Sequence, residues 1–306
     1  MRIGFGLPVS GAWATPRNIV SVATAAEQAG YASLWTFQRL LVPDGSAMDP
    51  VYQSVLDPMG ALAYAAAVTS TVRLAVAVIN APFVSPGYLA KQATTIDVLS
   101  GGRHELGVGI GWMPEEYALT GASTERRGDR LAEYVAVLRT LWGSAPAQFT
   151  GDFYTVPRGT QAPAPIQPGG PPILLGGLVP RALRRAGELA DGWVTSSRTD
   201  LARIGESAAV VRAAAAAAGR DPDSVRIVCR GAVRFGDPLP DGAGGRRLLS
   251  GSHAQIRSDT RWLASHGVTE IFYDLNWDPL VGAPDLPAGP AISRAMSLLE
   301  ALAPAG

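Results

Sequence analysis

The sequence predicts an α/β fold, a single (β/α)8 barrel, and three observations predict it. Short apolar runs alternate with amphipathic stretches in strand–helix order along the whole chain. The connections that follow the apolar runs are long, whereas those that precede them are short. The chain has 306 residues, a little above the ~250 such barrels use. That suffices for one large core without a second domain, so 1–306 reads as a single domain.

Each element has its own warrant. Strands are predicted at 2–7, 32–36, 72–79, 104–109, 172–176, 192–196, 225–234 and 268–274. Helices are predicted at 16–29, 58–69, 86–98, 124–142, 180–190, 200–218, 253–265 and 289–303. Thr15-Pro16, Asp57-Pro58 and Ser85-Pro86 each pair an N-cap with proline at the first helical position. The cap oxygen accepts from an orphan N–H, and proline has no N–H to lose there. Leu131, Val135, Leu138 and Trp142 fall at helical spacing and mark a buried stripe. Gly30 and Gly219 stand where helices should stop.

The long connections are 8–15, 37–57, 80–85, 110–123, 235–252 and 275–288; the short ones include 30–31, 70–71 and 266–267. The elaborated end is therefore the C-terminal end of the strands, where active sites of TIM barrels sit. The exception is a long Pro- and Gly-rich insertion before strand 5, at 143–171, in which GDFYTV (151–156) reads as a small strand or hairpin. An open doubly wound sheet is the competing fold. It wants a G-x-G-x-x-G loop after the first strand, and LPVSGAWATP lacks that spacing.

Composition narrows the function classes. The formal net charge is zero, which offers neither nucleic acid nor an anionic membrane a basic surface. No apolar run is long enough for a membrane span. MRIGFGLPVSGAWA reads as a first strand and not as a signal peptide. Cys229 is the one cysteine, which excludes an intrachain disulfide and suggests a reducing, cytoplasmic home. His104, His253 and His266 are the three histidines and lie far apart in sequence, so no metal site is expected.

Several segments at predicted strand ends could carry chemistry. Gly107-Val108-Gly109-Ile110-Gly111-Trp112 lets a flat ring or phosphate approach the backbone, or simply bends the chain at the rim. Gly176-Gly177 precede Pro180, so their N–H groups form either an anion site at a helix start or a plain turn. Gln38 and Arg39 follow the second strand. They point into the mouth or form a surface pair, Arg39 then facing Asp44 or Asp49. Asn80 is a polar terminus on the third strand, and Asp191-Gly192-Trp193 reads as structural. Trp13, Trp112 and Trp277 in mouth loops suit an apolar or aromatic substrate, or pack the loops.

Taken in order, GFGLP (4–8), EQAGYASLW (27–35), LDPMGALAYAAAVTSTVRLAVAV (56–78), KQATTIDVLSGGRHELGVGIGW (91–112), EEY (115–117), RRGDRLAEYVAVLRTLW (126–142), GDFY (151–154), PPILLGG (171–177) and ADGWV (190–194) resemble the luciferase-like monooxygenase superfamily. The closer likeness is to its branch using the deazaflavin coenzyme F420. The resemblance covers most of 1–195; residues 196–306 match only as a barrel completion. It implies a flavin or deazaflavin across the C-terminal mouth and a homodimer. It also implies a non-prolyl cis peptide between Ala77 and Val78 beneath the ring. By the same match, Asn80 contacts the ring, Gly109, Gly111 and Glu115 lie in the loop beside ring and tail, and Gly176 and Gly177 receive the tail or its phosphate.

The chain also departs from that branch. Its sugar-phosphate dehydrogenases carry an Asp-His pair after the second strand and a Glu after the fourth-strand glycines. Here those positions are Gln38-Arg39 and Trp112. Those enzymes hold the sugar phosphate with lysines, and Lys91 is the only lysine. A sugar phosphate is therefore disfavoured as substrate. None of the histidines falls at a predicted mouth position, which disfavours a histidine base. Arg39, Gln38 and Trp112, with Asn80 and Glu115 or Glu116, remain as the catalytic inventory. That set suits hydride transfer, where a cofactor does the hard step and the protein orients it. The expectation is an F420-dependent oxidoreductase acting on a small molecule. Its rivals are an FMN-dependent monooxygenase and a cofactor-binding barrel without turnover.

Overall fold

Eight parallel strands close into a barrel. They are β1 (Arg2–Gly6), β2 (Ser33–Thr36), β3 (Arg73–Asn80), β4 (His104–Gly109), β5 (Ile173–Gly176), β6 (Gly192–Val194), β7 (Arg226–Gly231) and β8 (Glu270–Tyr273). The computed structural model describes residues 1–304. Each strand pairs with its predecessor in the chain, and β8 returns to β1 with Glu270 opposite Arg2. The outer ring comprises α1 (Pro16–Gln28), α2 (Pro58–Ala66), α3 (Pro86–Leu99), α4 (Pro114–Thr120), α5 (Arg127–Trp142), α6 (Pro180–Leu189), α7 (Ile204–Ala217), α8 (His253–Ser265) and α9 (Ala288–Ala301).

The local signals act as their chemistry requires. Thr15 accepts from the N–H of Asn18, Asp57 from Gly60 and Ser85 from Tyr88, each capping a helix that opens on proline. Leu131, Val135, Leu138 and Trp142 are all buried on α5. Several boundaries differ from the sequence reading, three of them near the upper end of the barrel or in the insertion. The stretch 110–123 holds the short helix α4, which a left-handed Gly121 terminates, and α5 starts only at Arg127. The run 225–234 breaks after Gly231, because Arg234–Phe235 leave the barrel to pair with Ser250–Gly251. GDFY is the turn of a hairpin whose arms are Ala147–Thr150 and Thr155–Gly159. The Glu133 carboxylate on α5 holds that turn by accepting from the N–H groups of Asp152, Phe153 and Tyr154 at 2.9, 2.9 and 2.6 Å.

The barrel interior is filled from its base upward. Glu105 and Glu270, both 1% exposed, form the lowest layer with Arg2, Arg73 and Arg226. Arg226 bridges both carboxylates, at 2.8 Å from Glu105 and 2.7 Å from Glu270. Burial alone would raise the Glu105 pKa, but the guanidiniums of Arg226, Arg73 and Arg2 outweigh it and hold the carboxyl below its ordinary range. Above this layer Trp35 stacks on Phe272, ring centres 4.5 Å apart, among Ala75, Leu174, Val194 and Val228. His104 is a fully buried part of the β3–β4 seam, its Nδ1 3.0 Å from the Leu74 carbonyl. Burial pushes its pKa down to about 4.

Candidate active site

The upper end of the barrel is where the long loops converge. At the end of β3 the Ala77–Val78 peptide is cis, at the position the resemblance implied, and the β3–β4 register shifts between Val76 and Ile79. The Val78 side chain lies against β4 and β5. A Cβ on Gly109 would sit 2.7 Å from its Cγ2, and one on Gly176 would sit 3.3 Å from its Cγ1. The strand-end glycines therefore make room for Val78. Gly177 has φ +151°, and a Cβ there would meet that of Ala182 on α6 at 2.4 Å. Its need for glycine comes from packing against α6, while the Gly177 carbonyl accepts from Trp193 Nε1 at 2.9 Å. Gly111, at φ +70°, turns the chain against the ring of Phe83.

Gln38 and Arg39 both turn inward. The Gln38 amide oxygen accepts from the N–H of Asn80 at 2.9 Å, tying the loop after β2 to the end of β3. Arg39 is 5% exposed and pairs with Glu116, Nη1 to Oε2 being 3.0 Å. This overturns the surface pair with Asp44 or Asp49. The other Glu116 oxygen accepts from the N–H of Leu40 at 2.8 Å, so one buried carboxylate fixes two consecutive residues. The Arg39 guanidinium lies 4.4 Å from the centre of the Tyr52 ring and 4.9 Å from that of Trp112. Glu115 points to solvent. Trp112 is half-exposed, and a second cation, Arg198, sits 4.7 Å from its ring centre. Trp13 is fully buried and packs the loops.

Sequence reasoning missed a second cluster. Arg230, near the end of β7, donates through Nε to Asp274 at 2.7 Å, and its Nη1 lies 3.4 Å from the Ala77 carbonyl. Its guanidinium covers the rings of Phe37, at 4.6 Å, and Trp277, at 5.3 Å. Asp274 also accepts from the Asn276 side chain, at 2.9 Å, and Asn276 in turn binds Leu7, Val9 and Ser10 after β1. A usable signal was present, since Arg230 is a charge inside the apolar run IVCRGAV. Arg198, Trp112, Arg39, Tyr52, Trp277 and Arg230 thus form one chain of cations and rings across the mouth. Arg39 Nε and Trp277 Nε1 are buried there without a hydrogen-bond partner among the described residues.

The histidines stay out of this cluster. His104 lies at the start of β4, His253 stacks on Phe235, and His266 stacks on Trp262 at the end of α8. Among the described residues no group of three or more His, Cys, Asp or Glu side chains could hold a metal ion, and no helix is long and apolar enough to cross a membrane.

Comparison with known proteins agrees with this architecture. The family model described as luciferase-like monooxygenase matches residues 3–239. An uncharacterised protein of Mycobacterium tuberculosis (strain H37Rv) is 31% identical over 316 residues, covering 99% of each chain. The crystal structure of the monooxygenase RslO1 from Streptomyces bottropensis is similar with TM-score 0.78 at 21% identity, covering 98% of each chain. Coenzyme F420-dependent tetrahydromethanopterin reductase from Methanopyrus kandleri gives 0.77 at 17% identity, over 99% of this chain and 98% of that one. At these identities the two structures speak for the fold alone. The closed barrel and the family match over residues 3–239 together establish that this chain belongs to the luciferase-like monooxygenase family.

Proposed function

We propose that the protein is an F420-dependent oxidoreductase that exchanges a hydride with a small organic substrate at the barrel mouth. The observation that carries this reading is the pair of buried arginines, Arg39 and Arg230, whose side chains are 5% and 8% exposed. Arg39 Nε and Trp277 Nε1, buried without a partner among the described residues, support a polar ligand at the same place. Ala77, Val78, Asn80, Gly109, Gly111 and Glu115 would border the coenzyme ring, with Gly176 and Gly177 toward its tail. When bound, the deazaflavin supplies a two-electron hydride. The chain supplies orientation and charge.

Guanidinium stays protonated at any working pH. Arg39 is therefore a fixed cation that stabilises negative charge developing beside it, and it shuttles no proton. Glu116 balances that charge and holds the plane of the fork. Trp112 closes one side of Arg39, and Gln38 locks the loop to Asn80. The decisive test is a side-by-side spectral titration with F420 and FMN, followed by turnover with each reduced cofactor. Tighter F420 binding with cofactor-linked turnover is expected. FMN binding with oxygen consumption would replace the reading by a monooxygenase. Binding without any redox turnover would make the barrel a carrier.

The family resemblance also supports a homodimer, and we assign its interface to neighbouring helices α2 and α3. Tyr64 on α2 and Tyr88 and Leu99 on α3 are 46%, 61% and 62% exposed. Large exposed apolar side chains on two neighbouring helices suit a second copy of the chain. The lone thiol, Cys229, is buried, and burial pushes its pKa up to about 12, consistent with a structural cysteine in a reducing cytoplasm.

A further inference from the structure

We propose that the cavity between the loops after β6 and β7 binds the carboxylate of an organic substrate through Arg198 and Arg247. The inference rests on the reading above for the identity of the ligand as substrate. The anion site itself stands on this chain's geometry.

The cavity measures about 450 Å³ and runs from Ser196–Ala202 to Pro240–Leu248. That is the scale of a small-molecule site, ~300–1,000 Å³. Four arginines line it, and two of them are already neutralised. Arg230 is paired with Asp274, and Arg246 holds Asp259 in a two-armed contact at 2.5 and 2.8 Å. The two carboxylates in the wall keep their charge, and each spends one oxygen on backbone N–H groups. Asp200 accepts from the N–H of Ala202 at 3.1 Å, and Asp241 accepts from Ala243 and Gly245, both at 2.8 Å. Arg198 and Arg247 are exposed and form no ion pair among the described residues, so they are the lining cations left to meet a ligand.

A planar guanidinium fork matches a carboxylate through two parallel hydrogen bonds. Two unpaired arginines lining one cavity fit a ligand with one carboxylate better than a neutral one. The position of the cavity then says which ligand. Its wall includes Arg230, whose Nη1 lies against the Ala77 carbonyl of the cis peptide. Its Arg198 lies over Trp112. A ligand anchored by Arg198 therefore borders both residues at the reacting end of the barrel. Leu201, Ala232 and Leu248 offer the apolar wall for the rest of its body.

The test is calorimetric titration of the full chain with acetate, benzoate and 2-naphthoate. Benzamide serves as the neutral counterpart of benzoate, and inorganic phosphate as a competing anion. At least one carboxylate should bind, and benzoate should bind more tightly than benzamide. Arg198→Gln and Arg247→Gln should each weaken carboxylate binding about tenfold while leaving the melting temperature in place. F420 and the tail-less deazaflavin Fo are titrated into the same variants, and both affinities should be unchanged. If no carboxylate binds, if benzamide binds as well as benzoate, or if the variants bind normally, the proposal falls. Tighter phosphate binding overturns the carboxylate class. Weakened F420 with unchanged Fo would assign the arginines to the acidic tail of the coenzyme and overturn the substrate assignment. The carboxylate titration needs no cofactor, so failure of F420 to bind would sink the preceding reading and leave this one standing or falling on its own result.

Discussion

Arg39 is the residue on which charge and burial meet. Its guanidinium is sealed between Tyr52 and Trp112 and balanced by Glu116. Arg39→Lys keeps the charge and loses the planar fork, so kcat/KM should fall about 100-fold, the loss expected for one electrostatic donor. Steady-state kinetics with F420 checks this, and unchanged kinetics would place Arg39 outside the reaction. Glu116→Ala strands a buried cation and releases Leu40, and should destabilise the fold by about 3 kcal/mol in urea unfolding. Arg39 stood out as a candidate in the sequence because a family position differs there. Its partner did not. Glu116 lies far off in the sequence and follows an equally acidic Glu115, and only the phase of α4 decides which of the two turns inward.

Among the elements, the β3–β4 seam and the start of α6 carry distinct consequences. His104 is neutral in the seam, with a folded pKa of about 4 against ~6.5 when unfolded. Its contribution is fully present above ~6.5 and declines as pH falls toward 4, because only the unfolded chain takes up the proton. His104→Asn keeps a donor for the Leu74 carbonyl and should flatten that decline. Urea midpoints at pH 7 and pH 4.5 measure it, and an equally steep decline in the variant would assign acid sensitivity to other groups. At α6, even Gly177→Ala meets Ala182, so it should cost about 1–3 kcal/mol in thermal unfolding before any ligand is added. Strands and capped helices were legible because proline, Ser/Thr/Asp caps and apolar periodicity are local signals. The break after Gly231 was not, because Arg234–Phe235 find a partner, Ser250–Gly251, that no local pattern announces.

For the whole molecule, the barrel was legible because strand–helix alternation and loop asymmetry both report on global topology. The cavity after β6 and β7 was not, since its walls are the irregular loops 196–202 and 236–248, whose shape comes from long-range contacts such as Arg246 to Asp259. Replacing Tyr64 and Tyr88 together by Glu should convert a dimer to a folded monomer in light scattering, and an unchanged mass would move the interface elsewhere. The base of the barrel has a further consequence. Glu105, Glu270 and their three arginines, with Trp35 and Phe272 above them, close the lower end completely. The protein is a cul-de-sac, and everything that enters must leave by the same doorway. Were two ligands to stack in that mouth, the one seated deeper would have to arrive first and depart last.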